Sequence, residues 1–249
     1  MRTLISLSYS PWSEKARWAL DHHGVWYRRE EYVPMLGEPW LRARTRRWRG
    51  RLGVPVLIDH GHVFADSLDI ARRADALRSS ESLFPTDAVA AIDEWNARSE
   101  AGLAAGRALL LSRLVDDPEA LDESLPGATP PFARRALRPV TRRAVRYVAS
   151  KYQSTSRGAD EHRRTLIATL EELRRALAGR DTIVDTRFTY ADIAMAVVLQ
   201  MVVPVDERFV RLRPATRRVW TSPELAAAFP DLLAWRDQLY ARHRGVRAK

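Results

Sequence analysis

The first twenty residues change their hydrophobic period at a proline. Thr3-Leu4-Ile5-Ser6-Leu7-Ser8 alternates apolar and polar side chains, as a half-buried strand does. Beyond Ser10, the apolar residues Trp12, Ala16, Ala19 and Leu20 recur at helical spacing. The chain therefore turns from strand to helix at Tyr9-Ser10-Pro11. Pro11 takes the first helical position, where a missing N–H costs nothing, and Ser10 stands at the N-cap position. A helix start presents free N–H groups and partial positive charge. A thiolate is stabilised there, and a thiol pKa of about 8.5 can fall by several units. The sequence contains no cysteine, so a thiol at this turn has to come from a ligand. Two readings stay open on these residues alone. Ser10 is a helix cap and nothing more, or its hydroxyl donates to a bound thiolate.

The rest of the chain divides in two. Residues 2–8 read as strand one, 12–22 as helix one closed by Gly24, and 25–33 as a second strand with an exposed or edge character from Arg28 to Glu31. A short basic helix is expected within 34–47. Val54-Pro55-Val56-Leu57-Ile58, a turn at Asp59-His60-Gly61-His62 and Val63-Phe64-Ala65 form a hairpin signal. Pro55 fits a strand start or a cis corner, because inside a ladder it removes a hydrogen bond. Asp66 or Ser67 then caps an amphipathic helix through Leu77. This β-α-β-α-β-β-α order is a small α/β unit. Residues 79–87 have linker composition, and no strand signal follows. Helices are expected over 86–115, 132–152, 159–178 and 189–203, with one or two more over 223–244. The acidic, Pro-rich stretch 116–131 reads as a loop.

Charge and composition remove several functions. The net charge of +10 is carried almost wholly by Arg, scattered along the chain among acids, which fits a coding bias rather than a nucleic-acid footprint. No apolar run reaches the roughly 20 residues of a membrane-spanning helix, and no signal peptide is expected. Without cysteine there is no disulfide framework, no thiolate zinc site and no thiol nucleophile. A reducing cytoplasm is compatible with that. His60-x-His62 and His22-His23 lack carboxylates at ligand spacing, so no metal site is expected. There is no phosphate-binding glycine loop and no Gly-x-Ser-x-Gly elbow.

Four local patterns, in order, resemble the cytosolic glutathione transferases. They are Tyr9-Ser10-Pro11-Trp12-Ser13 with Lys15 and Arg17, Gly53-Val54-Pro55-Val56-Leu57, Asp66-Ser67, and Phe188-Thr189-Tyr190-Ala191-Asp192-Ile193. The resemblance spans essentially the whole chain. It implies a thioredoxin-like α/β N-terminal domain (1–78), a linker (79–87) and an all-α helical-bundle domain (88–249) with an insertion at 116–152. It also implies a Ser10 hydroxyl on the thiolate of glutathione. Backbone beside a cis Val54–Pro55 would pair with the tripeptide, Ser67 and its helix start would take a carboxylate, and Asp66 would take the ammonium. Relatives often carry Lys before the Val-Pro. Here Gly53 stands there, and Arg51 is the nearest substitute. Thr189 and Asp192 are expected to cap a buried helix, with Phe188 packing on Ile193.

The implied reaction is attack of the thiolate on a small hydrophobic electrophile, by conjugation, isomerisation or dehalogenation. Tyr9, Trp12, Trp95, Leu103 and Arg107 are candidates for the second-substrate pocket, with core packing as the alternative role for the aromatic ones. Thiol–disulfide reduction through a protein mixed disulfide is excluded by the lack of cysteine. Family membership implies a homodimer. Two rival roles remain: a non-catalytic ligand-binding or interaction protein of the same fold, and contact of the basic stretch 132–152 with an anionic membrane or nucleic acid. For that stretch a solvated face of a packed helix is the simpler expectation.

Overall fold

The computed structural model describes residues 1–34, 37–50, 52–125, 129–151 and 158–245. Two compact units are present, Met1–Asn96 with Arg180–Val197 and Arg236–Lys249, and Ala97–Gly179 with Val198–Trp235.

In the first unit, β1 (Arg2–Ser6), β2 (Arg28–Glu31), β3 (Val56–Asp59) and β4 (His62–Phe64) form one mixed sheet in the order β2-β1-β3-β4. β1 runs parallel to β2 and antiparallel to β3, and β4 closes a hairpin on β3. α1 (Pro11–His22) is the connection that a parallel β1–β2 pair requires. α2 (Glu38–Thr45) and α3 (Ser67–Ala76) complete the α/β layer. Ile5 and Val56 sit opposite each other and pack with Leu41 of α2. The pleat turns Leu4 and Leu57 to the other face, where α1 and α3 pack together.

β1 is shorter than the pattern predicts. Beyond Ser6 its polar groups leave the ladder: the Leu7 N–H goes to Ser13 Oγ, and the Leu7 and Ser8 carbonyls go to Arg17. β2 likewise covers only Arg28–Glu31, because the Val25 N–H closes the end of α1 on the Leu20 carbonyl. Gly24, at φ 63°, supplies the left-handed residue that ends α1.

After residue 86 the regular structure is helical: α4 (Val89–Asp116), α5 (Pro118–Glu123), α6 (Pro131–Lys151), α7 (Ala159–Ala176), α8 (Tyr190–Val198), a 3-10 turn at Leu199–Met201, α9 (Pro214–Trp220), α10 (Pro223–Ala228) and α11 (Pro230–His243). A thioredoxin-like N-terminal domain is thus followed by a helical one. One short helix corrects the expected loop and another stands in a stretch without an assigned element. α5 lies inside 116–131, started by the Asp117 side chain on the Ala120 N–H, and α9 precedes the predicted C-terminal helices. They stabilise one another: Glu123, at the end of α5, accepts the Ala215 and Thr216 N–H groups at the start of α9.

Asp192 sits fully buried at the start of α8. It accepts the Thr189 N–H, the Thr189 hydroxyl and the Ile183 N–H. Burial pushes its carboxyl up to about 6 against those three donors. The Phe188 ring stacks on His243, 4.0 Å between centroids, and also meets His22 and Trp18. Its ring partners thus come from α1 and the end of α11.

Candidate active site

The sheet register gathers three turns at one end. β1 leaves the sheet after Ser6, and antiparallel β3 enters it at Val56, opposite Ile5. β4 returns to the same end, with Phe64 opposite Leu57. The Tyr9-Ser10-Pro11 turn, the cis Val54–Pro55 peptide and Asp66-Ser67 therefore share that end of the sheet. α1 and α3 both begin there, so the free N–H groups of two helix starts are concentrated at one place. A ligand with more than one anionic group fits such a place.

Ser10 is at the N-cap of α1 in extended conformation, φ −72° and ψ 129°, yet its side chain makes no capping bond. The carbonyl accepts the Glu14 N–H at 2.9 Å and starts the helix, while the hydroxyl has no partner among the described residues. The residue keeps 9% exposure. A plain cap role is thus not what the hydroxyl performs. Tyr9 beside it keeps part of its surface exposed, and desolvation together with the nearby Glu31 carboxylate raises its pKa.

A buried charge network fixes the turn. The Arg17 guanidinium donates to the Leu7 carbonyl at 2.9 Å, to the Ser8 carbonyl at 2.8 Å and to Glu14 Oε2 at 3.0 and 2.8 Å. Glu14 is fully enclosed, and Arg244 donates to its second oxygen at 2.8 Å. Arg244 also donates to Asp21, which accepts the Tyr27 hydroxyl. Burial alone pushes Glu14 up; Arg244 and Arg17 outweigh it and hold the carboxyl below its ordinary value. Two acids thus balance two guanidinium groups, the arrangement that makes buried charge tolerable. Only the Glu14–Arg17 spacing hinted at this in the sequence. Arg244 follows α11 and has no local signal.

The remaining predicted residues fall as follows. The backbone N–H and C=O of Val54 have no partner among the described residues, so they are available to an extended peptide. Ser67 is buried, and its Oγ is enclosed without a hydrogen-bond partner. An orphaned hydroxyl at a helix start is the polar atom a carboxylate would satisfy. Asp66 caps α3 through Oδ1 on the Leu68 N–H at 2.7 Å and is otherwise exposed. Gly53 is exposed, with open space where a Cβ would stand. Arg51 lies outside the described residues. Trp12 and Trp95 are half-buried. Leu103 is fully enclosed and offers no surface to a ligand, which corrects its assignment to the second-substrate pocket. Arg107, on the same stretch of α4, is half-buried. Among the described residues no three His, Asp or Glu side chains gather as a metal site.

The profile of the glutathione S-transferase N-terminal domain matches residues 9–77, and that of the C-terminal domain matches residues 155–238. This chain belongs to the glutathione S-transferase family. The family's fold extends over the whole chain. A glutathione S-transferase of Ceriporiopsis subvermispora, solved in complex with glutathione, superposes with a TM-score of 0.65 at 15% identity, over 100% of this chain and 99% of that one. A glutathione transferase family member of Pseudomonas fluorescens Pf-5 with bound glutathione gives 0.62 at 18%, over 100% of each chain. The beta-etherase LigF of a Sphingobium species gives 0.61 at 20%, over 97% of this chain and 95% of that one. No curated protein matches the sequence. Residues 78–154, including α6, fall between the two family regions.

Proposed function

We propose that this chain is a glutathione transferase that ionises the glutathione thiol at the start of α1 and directs it at a small hydrophobic electrophile. The observation that carries the reading is the Ser10 hydroxyl, unbonded at a helix start and beside a turn pinned by Arg17. In the proposed complex that hydroxyl donates to the thiolate, and the α1 N–H groups add their partial charge. The thiol proton leaves to solvent. The sulfur then forms a C–S bond while the electrophile's leaving group departs or its double bond takes up the electron pair. Positioning the two reactants and keeping the thiol ionised near neutral pH supply the acceleration.

Glutathione suits the rest of this end of the sheet. Its backbone would pair with the free N–H and C=O of Val54, one carboxylate would reach Ser67 Oγ and the α3 start, and its ammonium would meet Asp66. Tyr9, Trp12 and Trp95 are proposed to line the electrophile's side. The family glutathione complexes support this reading, as does the helical domain that follows. A cytoplasmic homodimer with a first domain ending near residue 78 belongs to the same proposal.

Calorimetry with glutathione and turnover of a generic aryl electrophile test it together. The expected result is binding in the wild type, and turnover that falls on the order of a hundredfold in Ser10→Ala. Binding without turnover, unchanged by Ser10→Ala, would instead identify a non-catalytic binder of the same fold. The replacement of the family lysine by Gly53 is the feature that favours this second reading.

A further inference from the structure

α6 presents two contrasting faces. One face is packed: Val145 joins Leu111 and Leu121 in a core cluster, with Val148 and Ala149 against it. The arginines of that side are engaged: Arg138 pairs with the Asp122 carboxylate, and Arg134 donates to the Asp122 and Thr129 carbonyls. The opposite face meets solvent and is itself divided. At about 100° per residue, Phe132, Ala136, Val140 and Tyr147 form one apolar stripe about 22 Å long. Phe132 is 83% exposed, Val140 64% and Tyr147 59%. Beside the stripe run Arg135, Arg142 and Arg146, with Arg143 set within it. Arg135, Arg143 and Arg146 have no ion-pair partner among the described residues, and α6 contains no acid.

A solvated helix face accounts for the arginines and leaves the stripe unexplained, since large apolar side chains in a row on free solvent are a liability. From this juxtaposition we infer that α6 docks on an anionic phospholipid surface, lying in the interface with Phe132, Val140 and Tyr147 among the acyl boundary and Arg135, Arg143 and Arg146 on the headgroup phosphates. Charge complementarity selects the partner. A zwitterionic bilayer has no net negative surface charge to attract the arginines, and a nucleic-acid backbone has no use for an exposed Val and Phe. Long arginine side chains reach the phosphates while their stems cover apolar surface. No helix of the described residues is long and apolar enough to cross a membrane, so contact stays at the surface.

The test is sedimentation of the full-length protein with vesicles of phosphatidylcholine alone and of phosphatidylcholine mixed with phosphatidylglycerol. Salt is raised until the screening length falls from about 30 Å to about 3 Å. Binding is expected to the mixed vesicles only, and to weaken as salt rises. Replacing Arg135, Arg143 and Arg146 by Gln should lower partitioning on the order of a hundredfold. Replacing Phe132, Val140 and Tyr147 by Ser should abolish it at moderate salt; all six side chains face solvent, so circular dichroism should be unchanged. Equal binding to both vesicle types, or none at low salt, overturns the inference. So does duplex DNA binding that matches vesicle binding and survives the apolar substitutions, which would make the face a polyanion site. A wild-type oligomer that the apolar substitutions dissociate would make it a contact between copies.

Discussion

Replacing Arg17 by Ala removes four hydrogen bonds, to the Leu7 and Ser8 carbonyls and twice to Glu14. Arg17 and Glu14 are 3% and 0% exposed at their side chains, so solvent screens the pair little. Deleting one partner of a buried pair costs about 3–5 kcal/mol, mostly by stranding the other charge. Arg244 remains on Glu14 and limits the loss, which places the expectation near 3 kcal/mol. For a chain of this size that lowers the melting temperature by roughly 6–12 °C, and urea unfolding should give the same free energy. The pH dependence supplies a second reading. Glu14 ionises lower in the folded protein than unfolded, so its contribution is fully present above the unfolded carboxylate value of about 4.3 and is lost as pH falls through the folded pKa. Arg17→Ala should raise the folded pKa and move acid unfolding to higher pH. Arg17→Lys should recover only part of the loss, because an ammonium cannot span two carbonyls and a carboxylate. A cost below about 1 kcal/mol for Arg17→Ala, with the acid limb unmoved, would refute the assignment of Glu14 and Arg17 as the clamp of the turn.

Other consequences follow from single sites. His23, enclosed against Asp75, Ser80 and His22, is held neutral: burial, then His22, lower its pKa to about 4. The unfolded chain takes up a proton there first, so stability should fall by up to about 3 kcal/mol as pH drops from about 6.5 to about 4, and His23→Gln should flatten that limb of the urea midpoint against pH. Gly106 on α4 leaves no room for a Cβ, which would come within 2.5 Å of the Met201 Cβ. Gly106→Ala should therefore cost about 1–3 kcal/mol by thermal unfolding. Gly53→Lys, at a position open to a side chain, should tighten glutathione binding about fivefold by calorimetry; unchanged affinity would separate this position from the ligand.

The local parts of the fold were legible because they are written locally. The change of period at Pro11, the Val54–Pro55 corner, the His60-Gly61 turn and the Asp66 cap each depend on a few adjacent residues. The cap at Asp192 was legible for the same reason, although the stacking of the Phe188 ring on His243 was not, since His243 comes from the far end of the chain. α5 and α9 escaped because neither is long enough to show a period, and the contact that joins them runs from Glu123 to Ala215, with a sequence separation of 92. The same holds for the site. Ser10, Val54, Pro55 and Ser67 carry motif signals, whereas the clamp on the Ser10 turn runs through Arg244, 230 residues from Glu14. Leu103 was misplaced because helical periodicity cannot tell a core-facing residue from a cleft-facing one.

The decisive measurement is the ionisation of glutathione on the protein, followed by thiolate ultraviolet absorbance across a pH titration of the complex. The account predicts a bound thiol pKa about one unit or more below the free value near 8.5, and its return toward that value in Ser10→Ala. A bound thiol that titrates as it does in free solution, in wild type and Ser10→Ala alike, would contradict it.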